Sequence, residues 1–245
     1  MMEIRITDSR EALGKSAAAH IAKILREVIA RQGSARIVLS TGASQFETLD
    51  ALTREKDIPW DRVEMFHLDE YRDLPAEHPA SFRKYLKERF VEKAAPLMAV
   101  HFVDGTEEVI ASLTRELRGA PADIGLIGIG ENGHIAFNDP PADFETREAY
   151  IIVNLDDACK RQQVREGWFA SVDEVPRQAV SMTPYQIMQC RRIVSCVPGS
   201  VKAWAVEKVL RSEGVTNQVP ATLLKTHPDF ILYLDRDSAA GILKV

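Results

Sequence analysis

The sequence lacks the features that identify membrane, secreted and metal-binding proteins. No apolar run approaches the ~20 residues that a helix needs to cross a bilayer, and the N-terminal residues do not form the apolar core of a signal peptide. The chain has only 3 cysteines, and their spacing fits neither a disulfide framework nor a zinc site. We therefore expect a cytoplasmic protein with free thiols and no membrane partner.

A strong excess of one charge is also missing. The chain carries 31 Lys and Arg residues against 36 Asp and Glu residues, a net charge of -5, and these charges are spread along its length. A nucleic-acid partner is not expected, because such proteins carry a basic patch. No repeat, low-complexity tract or Pro/Gly/Ser-rich linker divides the sequence, so we predict a single domain over residues 1–245.

Motifs for nucleotides and metals are absent as well. No G-x-G-x-x-G follows the first strand and no G-x-x-x-x-G-K-[ST] occurs, so a dinucleotide or ATP site has no support. His67 and Asp69 are too few for a metal site. We predict neither a metal nor a cofactor, and we expect Trp168, Phe169 and Trp204 to lie in the core.

Helical and extended patterns alternate from one end of the chain to the other. Strands are predicted at residues 3–7, 36–40, 63–67, 99–103, 123–129, 192–197 and 230–234, and helices at residues 8–31, 45–54, 79–93, 106–117 and 201–211. Gly33 is the predicted stop of the first helix. The alternation predicts a doubly wound α/β fold, modified Rossmann-like, with a mostly parallel sheet and helices on both faces. Residues 150–183 give no clear pattern.

Polar clusters follow the predicted strands, where ligands bind in open α/β sheets. The turn at residues 41–44 leads into a helix, so its N–H groups and hydroxyls suit a phosphate. An ordinary capped turn is the better explanation of this cluster taken alone. Lys202 follows the turn at residues 198–200 and opens another helix. Its ammonium would reinforce phosphate binding, and the alternative is a surface lysine.

Two further clusters carry groups suited to proton transfer. Asp69 and Glu70 follow a predicted strand, where one carboxylate can serve as a general base toward a carbon acid; a solvated loop or a helix cap is the alternative. His134 lies in a glycine-rich segment, and Asn132 or Asp139 would orient its ring. A lone histidine is more often structural, so the clusters support a catalytic site only when they are considered together.

Taken together, the clusters resemble the glucosamine-6-phosphate deaminase family, which shares its fold with 6-phosphogluconolactonase. The resemblance lies in residues 40–44 (STGAS), 68–79 (LDEYRDLPAEHP), 128–140 (GIGENGHIAFNDP) and 198–203 (PGSVKA). The second and third segments are long and specific, and the match covers most of the chain.

The resemblance implies a role for each site residue. Asp69 matches the general base that moves a proton between C2 and C1 of the opened sugar, and His134 matches the ring-opening acid–base residue. Asn132 and Asp139 accompany it. The family's substrate-contacting positions are matched by Thr41, Gly42, Ala43, Ser44, Gly128 and Lys202. The implied reaction isomerises a hexosamine 6-phosphate to a 2-imino ketose, from which water releases ammonia, without a cofactor.

The chain departs from the family pattern near the histidine and in the phosphate site. Many members carry Asp where this chain has Asn132, and Glu where it has Asp139. Because an amide cannot stabilise an imidazolium by charge, this task falls to Asp139. A phosphate-binding arginine is expected in the segment without a clear pattern, where Lys160, Arg161 and Arg165 compete, and we favour Arg165.

Three alternatives to a glucosamine-6-phosphate deaminase stay open. A deaminase or isomerase of another sugar phosphate, such as the galactosamine epimer, fits the same residues. A 6-phosphogluconolactonase fits less well, because that branch carries Asp-Glu-Arg at residues 69–71 and Thr-Ala-Ser-Leu at residues 135–138. A binder without turnover has no use for Asp69 beside His134. In each case the partner is a small-molecule sugar phosphate, and a homo-oligomer is allowed.

Overall fold

The computed structural model describes residues 2–243, which form two β-sheets. The strands are β1 (Glu3–Thr7), β2 (Ala35–Leu39), β3 (Val63–His67), β4 (Asp69–Tyr71), β5 (Ala99–His101), β6 (Ile124–Leu126), β7 (Tyr150–Asn154), β8 (Gln178–Met182), β9 (Ile193–Val197) and β10 (Phe230–Asp235). The main sheet has 7 strands in the order β1-β10-β9-β6-β2-β3-β5. Its strand pairings are parallel.

Helices cover both faces of the main sheet. They are α1 (Arg10–Gln32), α2 (Phe46–Arg54), α3 (Phe82–Leu86), α4 (Glu107–Gly119), α5 (Asp157–Arg165), α6 (Pro184–Ile187), α7 (Ala203–Arg211) and α8 (Ala240–Leu243). In β2, Ile37 and Leu39 pack in the layer of α1 and α2, whereas Val38 packs in the layer of α4 and α7. Burial on both faces explains why the strands are apolar throughout. It confirms the predicted doubly wound α/β fold.

The first helix shows how local signals set the bounds of an element. Ser9 accepts a hydrogen bond from the backbone N–H of Ala12 at the N-terminus of α1. Gly33 ends the helix in a left-handed conformation with a φ of 89° and donates its N–H to the carbonyl of Ile29. Glycine adopts this conformation without a steric penalty, so the predicted stop at Gly33 is confirmed.

The second sheet is absent from the sequence-based prediction. It is antiparallel, with the order β4-β8-β7. Strand β4 carries two carboxylates in its short span, a composition typical of a loop, and β7 and β8 lie in the segment without a clear pattern. Asp69 pairs with Ser181, and the backbone N–H of Met182 donates to the carbonyl of Leu68. This side sheet fixes the chain directly after β3.

Several predicted bounds differ from those observed. Strand β6 ends at Leu126, which pairs with Leu39, the last residue of β2. The remainder of the predicted strand belongs to the loop that follows. Helix α3 is short and continues as a π-helical turn over Lys87–Val91. Helix α7 begins at Ala203, after a 3-10 turn over Ser200–Lys202.

The aromatic residues predicted for the core divide into three cases. Phe169 is buried, but Trp168 is only partly buried, and Trp204 is 51% exposed. The prediction for Trp204 is wrong because α7 turns Ala205 and Val206 toward the core instead. The cysteines are free and buried, as predicted. Within residues 2–243, no helix is long and apolar enough to cross a membrane.

Candidate active site

A cavity of about 610 Å³ lies at the carboxyl ends of β2, β3, β6 and β9. All four polar clusters of the sequence contribute to its wall, through Thr41, Gly42, Ala43, Ser44, Asp69, Gly128, Gly130, His134, Pro198, Gly199 and Lys202. Asn132 and Asp139 contact each other beside His134 and are not part of this wall. Residues far apart in the sequence therefore meet at one site, as expected at the carboxyl edge of a parallel sheet.

Asp69 is the buried carboxylate of the cavity. Its residue is 6% exposed, and within the described chain no hydrogen bond reaches its side chain. Burial, followed by the nearby charge of Glu70, raises the pKa of Asp69 to about 8. A carboxylate in this state accepts a proton readily near neutral pH, because removal from water makes its charged form less stable.

Glu70 has a different role from its neighbour. Its Oε2 accepts hydrogen bonds from Ser81 Oγ at 2.9 Å and from the backbone N–H of Arg83 at 2.8 Å, and the Arg83 guanidinium lies 3.3 Å away. Its Oε1 accepts from the backbone N–H of Tyr71 and of Phe82. Glu70 therefore caps the N-terminus of α3 and leaves Asp69 as the carboxylate that faces the cavity.

His134 is held by a pair of polar side chains. Its Nδ1 lies 3.0 Å from Asp139 Oδ1, close enough for an ion pair whenever the ring is protonated. Asn132 donates its Nδ2–H to Asp139 Oδ1 at 3.0 Å and accepts the backbone N–H of His134 at 3.0 Å. Burial alone would raise the pKa of Asp139, but His134 and the Asn132 amide outweigh burial and lower it. Asp139 therefore stays anionic beside the ring.

Gly130 makes room for the imidazole. A Cβ at this position would lie 2.3 Å from Cε1 and Nε2 of His134 and 2.5 Å from Cδ2. No heavy atoms approach so closely without a shift, so only glycine lets the ring take this position. The ring thus requires a glycine at position 130.

Asn138 fixes the loop that carries His134 through hydrogen bonds of its side-chain amide. Its Nδ2–H groups donate to the carbonyl of Ile135 at 2.7 Å, to Ser181 Oγ at 3.1 Å and to the carbonyl of Met182 at 2.9 Å. Asn138 is 4% exposed, so these bonds satisfy an amide that would otherwise be buried without partners. The side sheet therefore holds both Asp69 and the His134 loop.

The turn at residues 41–44 forms another wall of the cavity. Gly42 has a φ of 97°, a conformation that favours glycine, and the chain continues through a 3-10 turn over Ala43–Gln45 into α2. Gly128 lies beside this turn, where a Cβ would come within 3.7 Å of Ser40 Oγ. Such a turn at the start of a helix suits an anionic group.

Lys202 and Arg165, the two predicted cations of the site, differ in their burial and in their ion-pair partners. Burial lowers the pKa of Lys202, although the charges of Glu131 and Glu166 oppose this effect. No carboxylate of residues 2–243 lies within salt-bridge distance of Lys202. Arg165 lines the cavity but pairs with Glu131 at 2.7 Å, and its side chain is 62% exposed. The competing Lys160 and Arg161 of the sequence do not line the cavity.

Several lining residues were not found by sequence reasoning. They are Arg10, Phe46, Phe82, Glu131, Phe137, Glu166 and Trp168, among others. Trp168 and Glu166 lie just after α5, in the segment without a clear pattern, and Arg10 begins α1, where an arginine is an ordinary first-turn residue. No group of three or more His, Cys, Asp or Glu residues within 2–243 is arranged to hold a metal ion.

Comparison with protein families and curated sequences gives consistent relatives. Residues 8–232 match the family described as glucosamine-6-phosphate isomerases/6-phosphogluconolactonase. A glucosamine-6-phosphate deaminase of Oenococcus oeni is 32% identical over 247 residues, covering 99% of this chain and 100% of the relative. Another, from Staphylococcus epidermidis, is 36% identical and covers 94% of this chain and 96% of the relative.

Solved structures agree with the sequence relatives. A monomeric glucosamine-6-phosphate deaminase superposes with a TM-score of 0.86 at 27% identity, covering 98% of this chain and 100% of that one. The 6-phosphogluconolactonase of Trypanosoma brucei gives a TM-score of 0.80 at 17% identity and 99% coverage of both chains, a likeness in fold alone. The chain belongs to the family of glucosamine-6-phosphate isomerases and 6-phosphogluconolactonases.

Proposed function

We propose that this chain converts glucosamine 6-phosphate to fructose 6-phosphate and ammonia. The observation that carries the proposal is that Asp69, a buried carboxylate with a pKa raised to about 8, shares one cavity with His134 and its Asp139 partner. An isomerisation between C1 and C2 needs one base that removes a proton and returns it to the neighbouring carbon. The full-length similarity to curated deaminases supports the same reaction.

His134 acts first, at the closed sugar ring. Its imidazole takes the proton of the C1 hydroxyl and protonates the ring oxygen, which gives the open-chain aldehyde. Because Asp139 is anionic at 3.0 Å from Nδ1, it stabilises the transient imidazolium by charge. Asn132 donates to the same carboxylate oxygen and fixes its direction. The task that the sequence assigns to Asp139 is consistent with this geometry.

Asp69 then moves a proton between two carbons. Its carboxylate takes the C2 proton while the C1 carbonyl oxygen takes a proton from the substrate's ammonium group, which leaves an enolamine with a hydroxyl on C1 and a neutral amine on C2. The protonated carboxyl returns the proton to C1, so that C2 becomes an iminium. Water adds to C2 and ammonia leaves, giving the ketose. No external oxidant or cofactor is needed, because the carbonyl and the iminium of the substrate accept the electrons.

In this proposal the phosphate group binds at the turn at residues 41–44 and at Lys202. The N–H groups and hydroxyls of residues 41–44 and the ammonium of Lys202 face the same cavity as Gly128. Lys202 has a pKa lowered by burial, and a phosphate dianion would restore its preference for the charged form. Arg165 joins this site only when it leaves Glu131. The residues to which we assign these roles all belong to one chain.

The test is a product assay on purified protein. We expect ammonia and fructose 6-phosphate in equal amounts from glucosamine 6-phosphate, and no hydrolysis of 6-phosphogluconolactone above background. Ammonia from galactosamine 6-phosphate alone would move the assignment to the C4 epimer. Lactone hydrolysis without ammonia release would contradict the proposal. The buried free thiols fit a reducing compartment, and we propose that the enzyme works in the cytoplasm.

A further inference from the structure

Arg10 lies in the candidate active site although it belongs to none of the sequence motifs. It is the first residue of α1 and lines the cavity beside the turn at residues 41–44. Its Nη2–H donates to the carbonyl of Ala43 at 3.0 Å, and its Nε lies 3.5 Å from Glu47 Oε1. The guanidinium therefore contacts both the turn at residues 41–44 and helix α2, which follows that turn.

The packing of α1 against α2 brings Arg10 to this position. At Gly14, one helical turn after Arg10, a Cβ would lie 2.6 Å from the backbone carbonyl carbon of Glu47. Any larger side chain at Gly14 would push the two helices apart. The close approach of these helices is the reason why an arginine from α1 reaches the turn.

Arg10 is better prepared for an anion than Arg165. The Arg10 side chain is 40% exposed, and within residues 2–243 its Nη1 takes part in no hydrogen bond. The Ala43 carbonyl holds Nη2, and Nε is buried without a hydrogen-bond partner in the described chain although Glu47 lies 3.5 Å away, so Nε and Nη1 can both still donate. Arg165 is more exposed and is already held by Glu131 at 2.7 Å. A fixed guanidinium binds phosphate oxygens with less loss of side-chain freedom.

We propose that Arg10 binds the phosphate group of the substrate and determines the preference for phosphorylated over unphosphorylated sugars. The identity of the sugar rests on the proposed function, but the binding of a phosphate dianion by Arg10 does not. Arg10 supplies binding that is equal in the ground state and the transition state, because the phosphate is remote from C1 and C2. Its loss therefore raises KM and leaves kcat nearly unchanged.

The experiment measures binding of inorganic phosphate by calorimetry and steady-state kinetics for Arg10→Ala and Arg10→Lys. The matched control is Arg26→Ala, because Arg26 is an arginine of the same helix that contacts the Lys56 carbonyl and Glu55 and does not line the cavity. For Arg10→Ala we expect roughly tenfold to hundredfold weaker phosphate binding and a similar rise in KM. Arg10→Lys should lie between, and Arg26→Ala should match the wild type.

Folding and function are separated by two further measurements. Melting curves verify each variant, and Arg10→Ala combined with Glu47→Gln removes the carboxylate that the single change leaves unpaired. Unchanged phosphate affinity in a folded Arg10→Ala variant would overturn the proposal. If the wild type turns over no hexosamine phosphate, the proposed function fails, whereas the calorimetric titration still decides whether Arg10 binds phosphate.

Discussion

Two adjacent carboxylates show how environment decides the role of a residue. Glu70 is surrounded by backbone and side-chain donors at the start of α3, whereas Asp69 faces the cavity and accepts no hydrogen bond from a donor within residues 2–243. Both are buried, and burial without donors raises the pKa of Asp69 to about 8. The Asp-Glu pair by itself leaves the base open, and in the sequence only the family resemblance favours Asp69.

The pKa of Asp69 predicts the pH dependence of catalysis. The base must be ionised to accept the C2 proton, so kcat/KM should fall about tenfold per pH unit as the pH drops below about 8. The substrate phosphate titrates near pH 6, so its ionisation is separable from this limb. The profile is measured from about pH 6 to about pH 9.5. A profile that is flat across this range would show that Asp69 is not the base.

The close contact between Gly130 and the His134 ring predicts that a single added methyl group displaces the ring. Gly130→Ala places a Cβ within 2.3 Å of the His134 ring, so the ring must leave its contact with Asp139. We expect turnover to fall by about 10²-fold or more, as when an acid–base group is displaced, with a near-native far-UV spectrum. Gly119→Ala is the matched control, because a Cβ there meets no atom within 4 Å. Wild-type turnover of Gly130→Ala would contradict the assigned position of the ring.

At the scale of elements, the side sheet and α5 organise the cavity from one side. Strand β8 pairs with β4, which carries Asp69, and it also receives the Asn138 amide from the His134 loop. Helix α5 ends with Arg165, which forms an ion pair with Glu131 of the same loop. Because β4, β8 and α5 are short, their arrangement depends on tertiary packing more than on helix or strand propensity.

The ion pair between Glu131 and Arg165 predicts a change in substrate affinity. Glu131→Gln frees Arg165 and removes a negative charge near Lys202, so KM should fall about two- to fivefold, the range of an exposed ion pair. The matched control is Asp157→Asn, which releases Arg161 on the same helix outside the cavity. A KM that is unchanged or higher in Glu131→Gln would show that Arg165 does not serve the phosphate.

At the scale of the whole molecule, the regular alternation of elements is what the sequence predicts well. The parallel strands are apolar on both faces, and signals such as Gly33 mark helix ends, so the doubly wound sheet and the site at its carboxyl edge follow from pattern. The predicted clusters around Asp69, His134 and Lys202 do meet in one cavity. Their chemical roles stay predictions until activity is measured.

The remaining features depend on contacts between distant residues. Strand β4 is buried because β8 covers it, which its charged sequence gives no sign of. Arg10 reaches the turn at residues 41–44 only because Gly14 allows α1 to pack closely against α2. The exposure of Trp204 likewise depends on which face α7 turns inward. Such contacts are set by packing, and no local signal in the sequence encodes them.

The central claim is that Asp69 is the base. Burial of its charged carboxylate also lowers the stability of the folded chain. A folded-state pKa above the unfolded value near 3.9 means that stability falls as the pH rises from about 4 to about 8. Asp69→Asn removes this cost above about pH 8, so its melting temperature should exceed that of the wild type there. About 1 kcal/mol corresponds to about 2–4 °C for a chain of this size.

The most direct measurement therefore compares turnover, phosphate binding and melting of Asp69→Asn with those of the wild type at about pH 8.5. We predict that ammonia release falls by about 10²- to 10⁴-fold, that inorganic phosphate binds as before, and that the melting temperature rises by a few degrees. Retained ammonia release, within a few-fold of the wild type, would contradict the assignment of Asp69 as the base.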